Sequence, residues 1–508
     1  MKNPLKRGQP VSFRLIVIGL CILAQLGLTL FLIYKFKIRT IEIYTLFQFI
    51  GIALAIYILN KPDNPSYKFA WIMFIILLPM VGCFFYMIRA GSRVMPSVKR
   101  RMKRAESAAA EQLIPDRDCA SRLKAKHTQA ARQSECLQRL SGFPVFDGSE
   151  TEYVYPGEEI QRRLLIELEK AEKSIFIEFF ILAEGIMFEQ IHKILKEKAA
   201  CGVDVRIIFD DIGSINRQYR GFISKLQKDG IKVSVFNPIK PSFDMFMNNR
   251  NHRKIVVIDS KVAFTGSFNI GDEYINVWRK LGDWLDSAVI VKGKAVHSFS
   301  LMFLSMWSFI NGTEYQSLEL PQPIECDGFV QPYCDGPFNL SNPAEALYMQ
   351  ILHTAERYVY ITTPYLILDD KMEIALQTAA QSGVDVRIVT PKKEDKWYVH
   401  PVTRSYYAGL IKSGIRIYEF TPGFIHSKLF VSDDTVATVG SVNLDYRSFY
   451  FHFECGAWLC GTDSVVAVKQ HLEQIFEQSE EITLEKLKNQ PLREKVKQAV
   501  LRLFAPFM

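Results

Sequence analysis

The sequence predicts an α/β fold with two halves related by a pseudo-two-fold axis, each on a central mixed, largely parallel sheet, behind N-terminal transmembrane helices. Three observations support this fold class. An eighteen-residue pattern occurs twice, as HRKIVVIDSKVAFTGSFN and as HSKLFVSDDTVATVGSVN. Short β-branched runs alternate with helical stretches around both copies, which is typical of α/β sheets. Long uncharged apolar runs occupy the first 90 residues.

Length and composition limit the possible architectures. A chain of 508 residues is too long for one ordinary core, so two or three domains are expected. The excess of 62 Lys and Arg over 54 Asp and Glu is mild and suits either nucleic acid or an anionic membrane surface. Nine cysteines without a CxxC pair indicate reduced packing residues rather than a disulfide framework or a zinc site.

Apolar runs at about 15–34, 43–59 and 69–88 predict two or three transmembrane helices within a membrane region spanning 1–92. The alternatives are a cleaved signal peptide for the first run and buried core helices for the others. The first run continues directly into Lys35-Phe36-Lys37 instead of a small-residue cleavage site. We therefore expect a multi-pass protein of the cell membrane.

Seven basic residues and no acidic residue lie between positions 89 and 104. The positive-inside rule then places the catalytic part in the cytoplasm, although three spans would leave the basic N-terminus outside. Residues 93–148 are interpreted as a basic juxtamembrane linker, helical or loosely ordered. Its charge would attract anionic lipid headgroups or serve only to set the topology.

The two halves are predicted at 149–320 and 321–508, because further segments repeat between them. CGVDVRIIF matches SGVDVRIVT, and GIKVSVFNP matches GIRIYEFTP. The first half carries ten additional residues before its copy of the pattern. We hypothesise that this loop dips toward acyl chains, with an ordinary packed insertion as the alternative; its apolar residues are Phe243, Met245, Phe246 and Met247.

The C-terminal segment LREKVKQAVLRLFAPFM predicts an amphipathic helix. Its apolar residues share one face, at Leu492, Val496, Val500, Leu503 and Phe507. Such a helix can lie on a membrane surface or close the core of the second half. We favour the core.

Each copy of the duplicated pattern contains His-x-Lys-x4-Asp. The candidate catalytic residues are His252, Lys254 and Asp259 in the first copy and His426, Lys428 and Asp433 in the second. Residues i and i+2 of a strand point to the same face, so each His and its Lys share a face. For the two aspartates we prefer a structural role in closing the turn over direct acid–base work.

Gly-Ser-x-Asn follows at the same offset in both copies. Its hydroxyl and carboxamide groups are candidates for binding a phosphate oxygen: Ser267 and Asn269 in the first copy, Ser441 and Asn443 in the second. A histidine also needs an orienting group, usually a carboxylate. Asp286 and Glu454 occupy matching positions in later strands and are assigned this role.

Two such faces meeting on the pseudo-two-fold axis would form one site suited to a phosphodiester. One His attacks phosphorus, the other protonates the departing alkoxide, and the lysines with the asparagines hold the non-bridging oxygens. No metal ion or other cofactor is needed. A lone histidine is more often a hydrogen-bonded core residue, but identical spacing in two copies favours an active site.

At these motifs the sequence resembles the phospholipase D superfamily and, within it, the bacterial cardiolipin synthase family over nearly its full length. The resemblance lies in NPSYKFAWIMFIILLPMVGCFFY near the N-terminus, RNHRKIVVID and GSFNIGDEY in the first half, and TPYLILDD, HSKLFVSD, GSVNLDYRSF and FHFE in the second. The ending RLFAPFM is also similar to that family.

The resemblance implies phosphatidyl transfer between two phosphatidylglycerol molecules, which yields cardiolipin and glycerol. It further implies a phosphohistidine intermediate, more readily on His252, with His426 as acid and then base. The family's Trp-Arg-Asp-Thr-His run is replaced here by Trp284-Leu285-Asp286-Ser287-Ala288, which leaves the acceptor preference less secure.

Several alternatives remain at this point. Water, serine or another alcohol would serve as acceptor in the same chemistry, and phosphatidylethanolamine would serve as co-substrate. A nuclease fits less well, because the basic residues cluster beside the apolar runs and no aromatic-basic stacking strip is evident. A non-catalytic lipid-binding scaffold would tolerate broken motifs, and both motifs are intact. The expected partners are therefore phosphatidylglycerol and membrane lipids, not nucleic acid.

Overall fold

The computed structural model describes residues 40–61, 64–87, 96–239, 248–314, 317–339 and 341–508. Two predictions lie outside these residues: the apolar run 15–34 and the loop with Phe243, Met245, Phe246 and Met247. Within the described ranges, no helix combines the length and the apolarity needed to cross a bilayer.

The N-terminal region begins with three described helices, α1 (Thr40–Leu59), α2 (Pro65–Leu77) and α3 (Pro79–Phe85). The run 43–59 lies in α1, but the prediction of one continuous helix over 69–88 was wrong. Leu78 has φ −134° and ψ 71° and ends α2, because a proline disfavours the helical conformation in the residue before it. The helices pack around Trp71 and Ile75.

Residues 96–141 contain three described helices, α4 (Pro96–Ala110), α5 (Arg117–Lys126) and α6 (Thr128–Ser141). They are not a loose linker. Met102 of α4 is buried in the central core, and Gln133 of α6 donates from Nε2 to Thr354 Oγ1 of the second half at 2.7 Å. This segment is a packed helical layer that contacts both halves.

The first half is an α/β unit on a sheet of seven described strands in the order β1-β9-β7-β6-β2-β3-β4. Its elements are β1 (Ser149–Val154), α7 (Gly157–Glu169), β2 (Ser174–Phe179), α8 (Ile186–Ala200), β3 (Asp204–Asp210), α9 (Asp211–Ser214), α10 (Phe222–Lys228), β4 (Lys232–Phe236), β5 (Arg250–Asn251), β6 (Ile255–Ile258), β7 (Val262–Gly266), β8 (Asp283–Leu285), β9 (Ala288–Gly293) and α11 (Val296–Asn311).

The second half repeats this topology, with the main strand order β10-β17-β16-β15-β11-β12-β13-β18 among its described residues. Its elements are β10 (Phe329–Asp335), α12 (Pro343–Thr354), β11 (Tyr358–Thr362), α13 (Asp370–Gln381), β12 (Asp385–Pro391), α14 (Val399–Lys412), β13 (Arg416–Phe420), β14 (Gly423–Ile425), β15 (Leu429–Ser432), β16 (Val436–Gly440), α15 (Tyr446–Tyr450), β17 (His452–Cys460), α16 (Asp463–Glu477), β18 (Ser479–Ile482), α17 (Leu484–Lys488), α18 (Leu492–Arg502) and a 3₁₀ turn (Ala505–Phe507).

Both sheets are mixed, as predicted, but the prediction that they are largely parallel was wrong. In the described part of the first sheet, two pairings are parallel and four are antiparallel. The second sheet has two parallel and five antiparallel pairings along its main path, again counting only described residues. The strands after each His-x-Lys pair return through tight hairpins, which produce antiparallel neighbours.

The central apolar core lies between the two sheets and contains residues of both halves, including α11 and α16. Two outer cores lie under the helices that cover the far face of each sheet. Apolar contact across the middle therefore holds the halves in one arrangement. All eight cysteines in the described ranges are free thiols, as predicted from their spacing.

The predicted C-terminal amphipathic helix is α18, and the interpretation that it closes a core was wrong. No residue of α18 is buried, and Leu492 is 76% exposed. The helix lies against α14, but its apolar face points away from the second half.

Asp259 and Asp433 lie at the turns that follow β6 and β15. The carboxylate of Asp259 accepts hydrogen bonds from the backbone N–H groups of residues 172, 173 and 174 at 2.8, 2.7 and 2.8 Å, and Asp433 does the same for residues 356, 357 and 358. At about 3.3 Å per residue, Asp259 lies roughly 16 Å along the strand from Lys254. Both aspartates, candidates for catalysis, therefore anchor turns at the far end of the strand, which is the structural role that we preferred for them.

We predict that Asp259→Ala lowers the free energy of unfolding by about 2 kcal/mol, because three backbone donors lose their acceptor. Asp327→Ala is the matched control, since Asp327 is exposed. Denaturant unfolding in detergent, followed by circular dichroism, measures both variants. Equal unfolding free energies for the two variants would contradict the anchoring role.

Candidate active site

Next to each His-x-Lys motif, a short strand of one half pairs with a strand of the other half. β5 of the first half pairs in parallel with β17 of the second, and β14 of the second half pairs in parallel with β8 of the first. The backbone N–H of His252 donates to Phe453 O at 2.8 Å, and that of His426 donates to Leu285 O at 2.9 Å. Each histidine is therefore held by the strand of the opposite half.

The orienting carboxylates also come from the opposite half. His252 Nδ1 lies 2.9 Å from both carboxylate oxygens of Glu454, and His426 Nδ1 lies 2.8 Å from Asp286 Oδ1. The sequence singled out both carboxylates for this role, but the crossed pairing emerges only in three dimensions. A carboxylate at Nδ1 favours the tautomer whose Nε2 lone pair is free to react.

The two serines of Gly-Ser-x-Asn support these carboxylates. Ser267 Oγ donates to Asp286 Oδ1, and Ser441 Oγ donates to Glu454 Oε2. Each oxygen also accepts a backbone N–H at 3.0 Å, from Ser287 and Cys455 respectively. A hydroxyl has one proton to donate, so in this arrangement the predicted phosphate contact is replaced by a contact to the carboxylate.

The two asparagines lie buried in the same region, with Asn269 1% and Asn443 5% exposed. Asn269 Oδ1 accepts the backbone N–H of Ile181 at 3.1 Å, which fixes the orientation of its carboxamide. Asn443 Oδ1 is buried and has no hydrogen-bond partner among the described residues. Their predicted contact with phosphate remains a prediction.

Both motif lysines are fully enclosed. Lys254 Nζ donates to the carbonyl of His252 at 2.7 Å, and Lys428 Nζ donates to the carbonyl of His426 at 2.6 Å. Burial lowers the pKa of Lys254 to about 8, although Glu454 acts in the opposite direction. Burial lowers the pKa of Lys428 further, to about 7, and the charge of Lys254 contributes to this shift.

The histidines are neutral in this environment. Burial lowers the pKa of His426 to about 4, with a further contribution from Lys428. Burial also lowers the pKa of His252 well below its usual value, assisted by the charge of Lys254. Two neutral imidazoles beside two buried ammonium groups form a site that favours an incoming anion.

The two carboxylates differ in their electrostatics. Burial raises the pKa of Glu454 well above its usual value, and Lys254 only partly opposes this effect. Burial would also raise the pKa of Asp286, but His426 and Lys428 bring it below the usual value. The Asp286–His426 pair therefore stabilises an imidazolium better than the Glu454–His252 pair does.

Trp284, beside Asp286, and His452, beside Glu454, distinguish the two ends of the site, and neither residue was predicted to have a role. Trp284 precedes Asp286 by two residues, and His452 precedes Glu454 by two residues. Side chains at this spacing in a strand point to the same face, so each residue is placed beside its carboxylate. Trp284 Nε1 donates to Asp286 Oδ2 at 2.9 Å. His452 Nδ1 lies 3.6 Å from Glu454 Oε1, and its ring centre is 5.5 Å from that of His252.

The environment of His452 is positively charged. Arg447 Nε donates to His452 Nε2 at 3.3 Å, and burial together with this charge keeps the pKa of His452 well below normal. Ligand atoms of His252, His452 and Glu454 lie within 4.8 Å of one another, a spacing that metal ligands use. The nearby Lys254 and Arg447 charges make this end better suited to an anion than to a cation.

A buried ion pair anchors the segment before His252. Arg250 bonds Asp210, with 2.9 Å between Arg250 Nη2 and Asp210 Oδ1, and Asp210 also accepts the backbone N–H of Asn251 at 2.9 Å. Asn251 Nδ2 in turn donates to Glu178 at 2.8 Å. These groups fall outside the duplicated pattern, which explains why sequence reasoning missed them.

Comparisons with known proteins identify the family of both halves. Residues 164–307 and 348–479 match the family described as "Cardiolipin synthase, PLD-like domain", and residues 49–88 match "Phospholipase_D-nuclease N-terminal". A cardiolipin synthase of Geobacillus kaustophilus is 33% identical over 90% of this chain and 92% of its own length. A cardiolipin synthase of Alkalihalophilus pseudofirmus is 31% identical over 93% and 95%, respectively.

Two further matches concern the share of the chain that is covered and the fold. An uncharacterised protein of Streptococcus mutans is 38% identical over 90% of this chain and 100% of its own length. The crystal structure of phosphatidylserine synthase from Haemophilus influenzae has a TM-score of 0.54 at 14% identity and covers 75% of this chain and 98% of its own, which supports the two-half fold. The chain belongs to the cardiolipin synthase, phospholipase D-like family.

Proposed function

We propose that this enzyme transfers a phosphatidyl group between two phosphatidylglycerol molecules and releases cardiolipin and glycerol. The observation that carries the proposal is the paired arrangement of two neutral imidazoles, each on a carboxylate of the opposite half, beside two buried lysines. Two imidazoles serve the two halves of a phosphodiester exchange, and the lysines match the charge of its phosphate. The names of the relatives support the lipid substrate.

In the first half-reaction, His252 Nε2 attacks the phosphorus of one phosphatidylglycerol. The bond between phosphorus and the headgroup glycerol oxygen breaks, and His426 gives its proton to that oxygen. Glycerol leaves, and the phosphatidyl group remains on His252 as a phosphohistidine. The lysines hold the non-bridging oxygens while negative charge develops on them.

In the second half-reaction, a hydroxyl of the second phosphatidylglycerol replaces the departed glycerol. His426, now neutral, takes the proton of this hydroxyl, and the oxygen attacks phosphorus. The bond between phosphorus and His252 breaks, which completes cardiolipin and restores the starting protonation. The same residue acts as acid and then as base, as microscopic reversibility requires.

The roles of the two histidines follow from their carboxylates. The acid must become an imidazolium, and the ionised Asp286 with its bound indole N–H stabilises that state on His426. The nucleophile must remain neutral, and burial together with the charge of Lys254 keeps the pKa of His252 well below its usual value. We therefore assign His252 as nucleophile and His426 as acid and base.

The substrate supplies the negative charge that the site lacks. With only the protein's own groups around it, His426 has a pKa of about 4, too low for it to carry a proton at neutral pH. A phosphodiester monoanion close to a buried imidazole raises its pKa, because opposite charges attract strongly where water is excluded. Phosphatidylglycerol binding thus prepares His426 to protonate the leaving group.

Hydrolysis, or transfer to a different alcohol, is the second candidate, because the first half-reaction is common to all of these reactions. Incubation of the purified enzyme with phosphatidylglycerol alone in mixed micelles separates them. We predict equal amounts of cardiolipin and glycerol, measured by lipid mass spectrometry and an enzymatic glycerol assay. His252→Ala and His426→Ala should each lower the rate by at least about a thousandfold.

The products decide between the candidates. Phosphatidic acid in place of cardiolipin would establish water as the acceptor. Turnover that begins only when a second alcohol or phosphatidylethanolamine is added would establish a different phosphatidyltransferase. Cardiolipin formation at the wild-type rate by either histidine variant would contradict a site shared by the two halves.

The role assignment predicts opposite behaviour of the two variants with an activated substrate. Phosphatidyl-p-nitrophenol has a leaving group that needs no proton, so His426→Ala should still release one equivalent of p-nitrophenol in a burst and retain phosphatidyl on His252. His252→Ala should give no burst. Stopped-flow absorbance and intact-protein mass spectrometry measure both, and a burst in His252→Ala instead would reverse the roles.

The lysine pKa values predict how anion binding depends on pH. The surrounding protein groups hold the pKa of Lys428 at about 7, and a bound anion raises it, so anion binding above that pH takes up a proton. Glycerophosphoglycerol suits the measurement, because the charge of this diester is constant over the pH range. Its inhibition constant should rise between pH 7 and 9, by at most about tenfold per pH unit for each proton taken up on binding. Lys428→Met should bind more weakly at pH 6 and show a flatter profile; an unchanged profile would contradict this linkage.

A further inference from the structure

Helix α18 carries an apolar stripe that faces away from the protein. Leu492, Val496 and Val500 are 76%, 54% and 50% exposed, and Leu503 continues the stripe just after the helix. The opposite side of the helix holds it in place, because Leu501 packs against the outer core of the second half. The stripe is thus fixed in its outward orientation.

Basic side chains border this stripe on both sides. At 100° per residue, Arg493 and Lys497 fall on one flank and Lys495 on the other. Arg502 also lies on the second flank, but its guanidinium pairs with Glu373 of the second half at 3.6 Å. Residues 484–508 contain six basic and two acidic residues. An exposed apolar stripe between two basic flanks is the pattern of a helix that lies in a lipid interface, where long basic side chains reach the headgroups.

The stripe is continuous with the N-terminal helices. Phe69 of α2 and Leu503 line one groove of about 560 Å³ between the two elements. Trp71 of α2 packs edge-on against Phe507, with 5.7 Å between ring centres. Several apolar residues on the outer side of the N-terminal helices are also exposed: Phe49, Ile52, Ile56, Ile76 and Leu77.

We propose that α18 and the exposed side of α1 and α2 form one surface that lies on an anionic phospholipid bilayer, with the α18 stripe in the headgroup region. The paired basic flanks favour a lipid surface over a second copy of the chain, because two copies would bring like charges together. This surface contains none of the catalytic groups, and the proposal does not depend on the proposed reaction.

Arg447 links the C-terminal end of the chain, next to this surface, to the active site. The backbone N–H of Arg447 donates to Met508 O at 3.1 Å, and its Nε donates to His452 Nε2 at 3.3 Å. The ring of Phe451, next to His452, lies 6.3 Å from that of Tyr67 in α2. A bilayer on this surface therefore lies beside the His252 end of the site.

A dye at position 496 tests the contact in the full chain reconstituted into vesicles. The Cys201→Ser protein serves as background, Val496→Cys carries an environment-sensitive dye, and Ile166→Cys at an exposed position of α7 is the matched control. In vesicles of equal phosphatidylglycerol and phosphatidylcholine, we expect a blue shift and quenching by headgroup-region spin-labelled lipid at 496 only. Pure phosphatidylcholine should give a smaller effect.

Equal emission at 496 and 166 would overturn the proposal. So would a shift at 496 that depends on protein concentration in detergent without lipid, since this result would indicate a second copy of the chain. A triple variant, Leu492→Ser with Val496→Ser and Val500→Ser, adds a functional readout. Its matched control replaces Ile166, Ile186 and Val466, which are exposed on the catalytic part, by serine.

If the proposed function holds, the α18 triple variant turns over phosphatidylglycerol in vesicles about tenfold more slowly than the control. Both variants should act equally on short-chain phosphatidylglycerol dispersed as monomers, because that substrate needs no surface. An equal rate on vesicles for the two variants would contradict the proposed surface. The absence of turnover in every protein would count against the reaction alone, since the dye experiment still reports on the surface.

Discussion

The hydrogen bond between each motif histidine and a carboxylate of the opposite half is the interaction on which the site depends. His252 bonds Glu454 and His426 bonds Asp286, at 2.9 and 2.8 Å. Each motif histidine is thus oriented by a carboxylate that its own half does not supply. The exchanged strands β5 and β14 and the central core between the sheets therefore serve one requirement, which is to hold the two faces in register.

Burying so many ionisable groups is favourable only if their charges are matched. In this site the carboxylates balance the lysines only in part, and serine hydroxyls donate hydrogen bonds to the carboxylates. The depressed lysine pKa values indicate that this balance is incomplete without an anion. The symmetric motif cannot distinguish two catalytic roles, but Trp284 at one end and His452 at the other can, because they change the environment of the carboxylates.

The motif residues and both carboxylates were predictable because duplication and strand periodicity are local properties of the sequence. The crossed pairing was not, since it depends on how two distant segments meet. The break before Pro79 follows from a residue visible in the sequence, and the prediction of one helix over 69–88 gave that residue too little weight. The exposed face of α18 was undetermined, because an amphipathic helix buries its apolar side against whichever apolar medium is present.

A lipid substrate imposes two opposite demands on one protein. Its phosphate favours a buried, positively charged site, whereas its acyl chains favour the apolar phase from which it comes. Arg447 lies where these demands meet, because it contacts both the C-terminal segment and His452. Contact between the apolar surface and the edge of the charged site would let the phosphate reach the histidines while the acyl chains stay among apolar neighbours, which removes the need to extract the whole lipid into water.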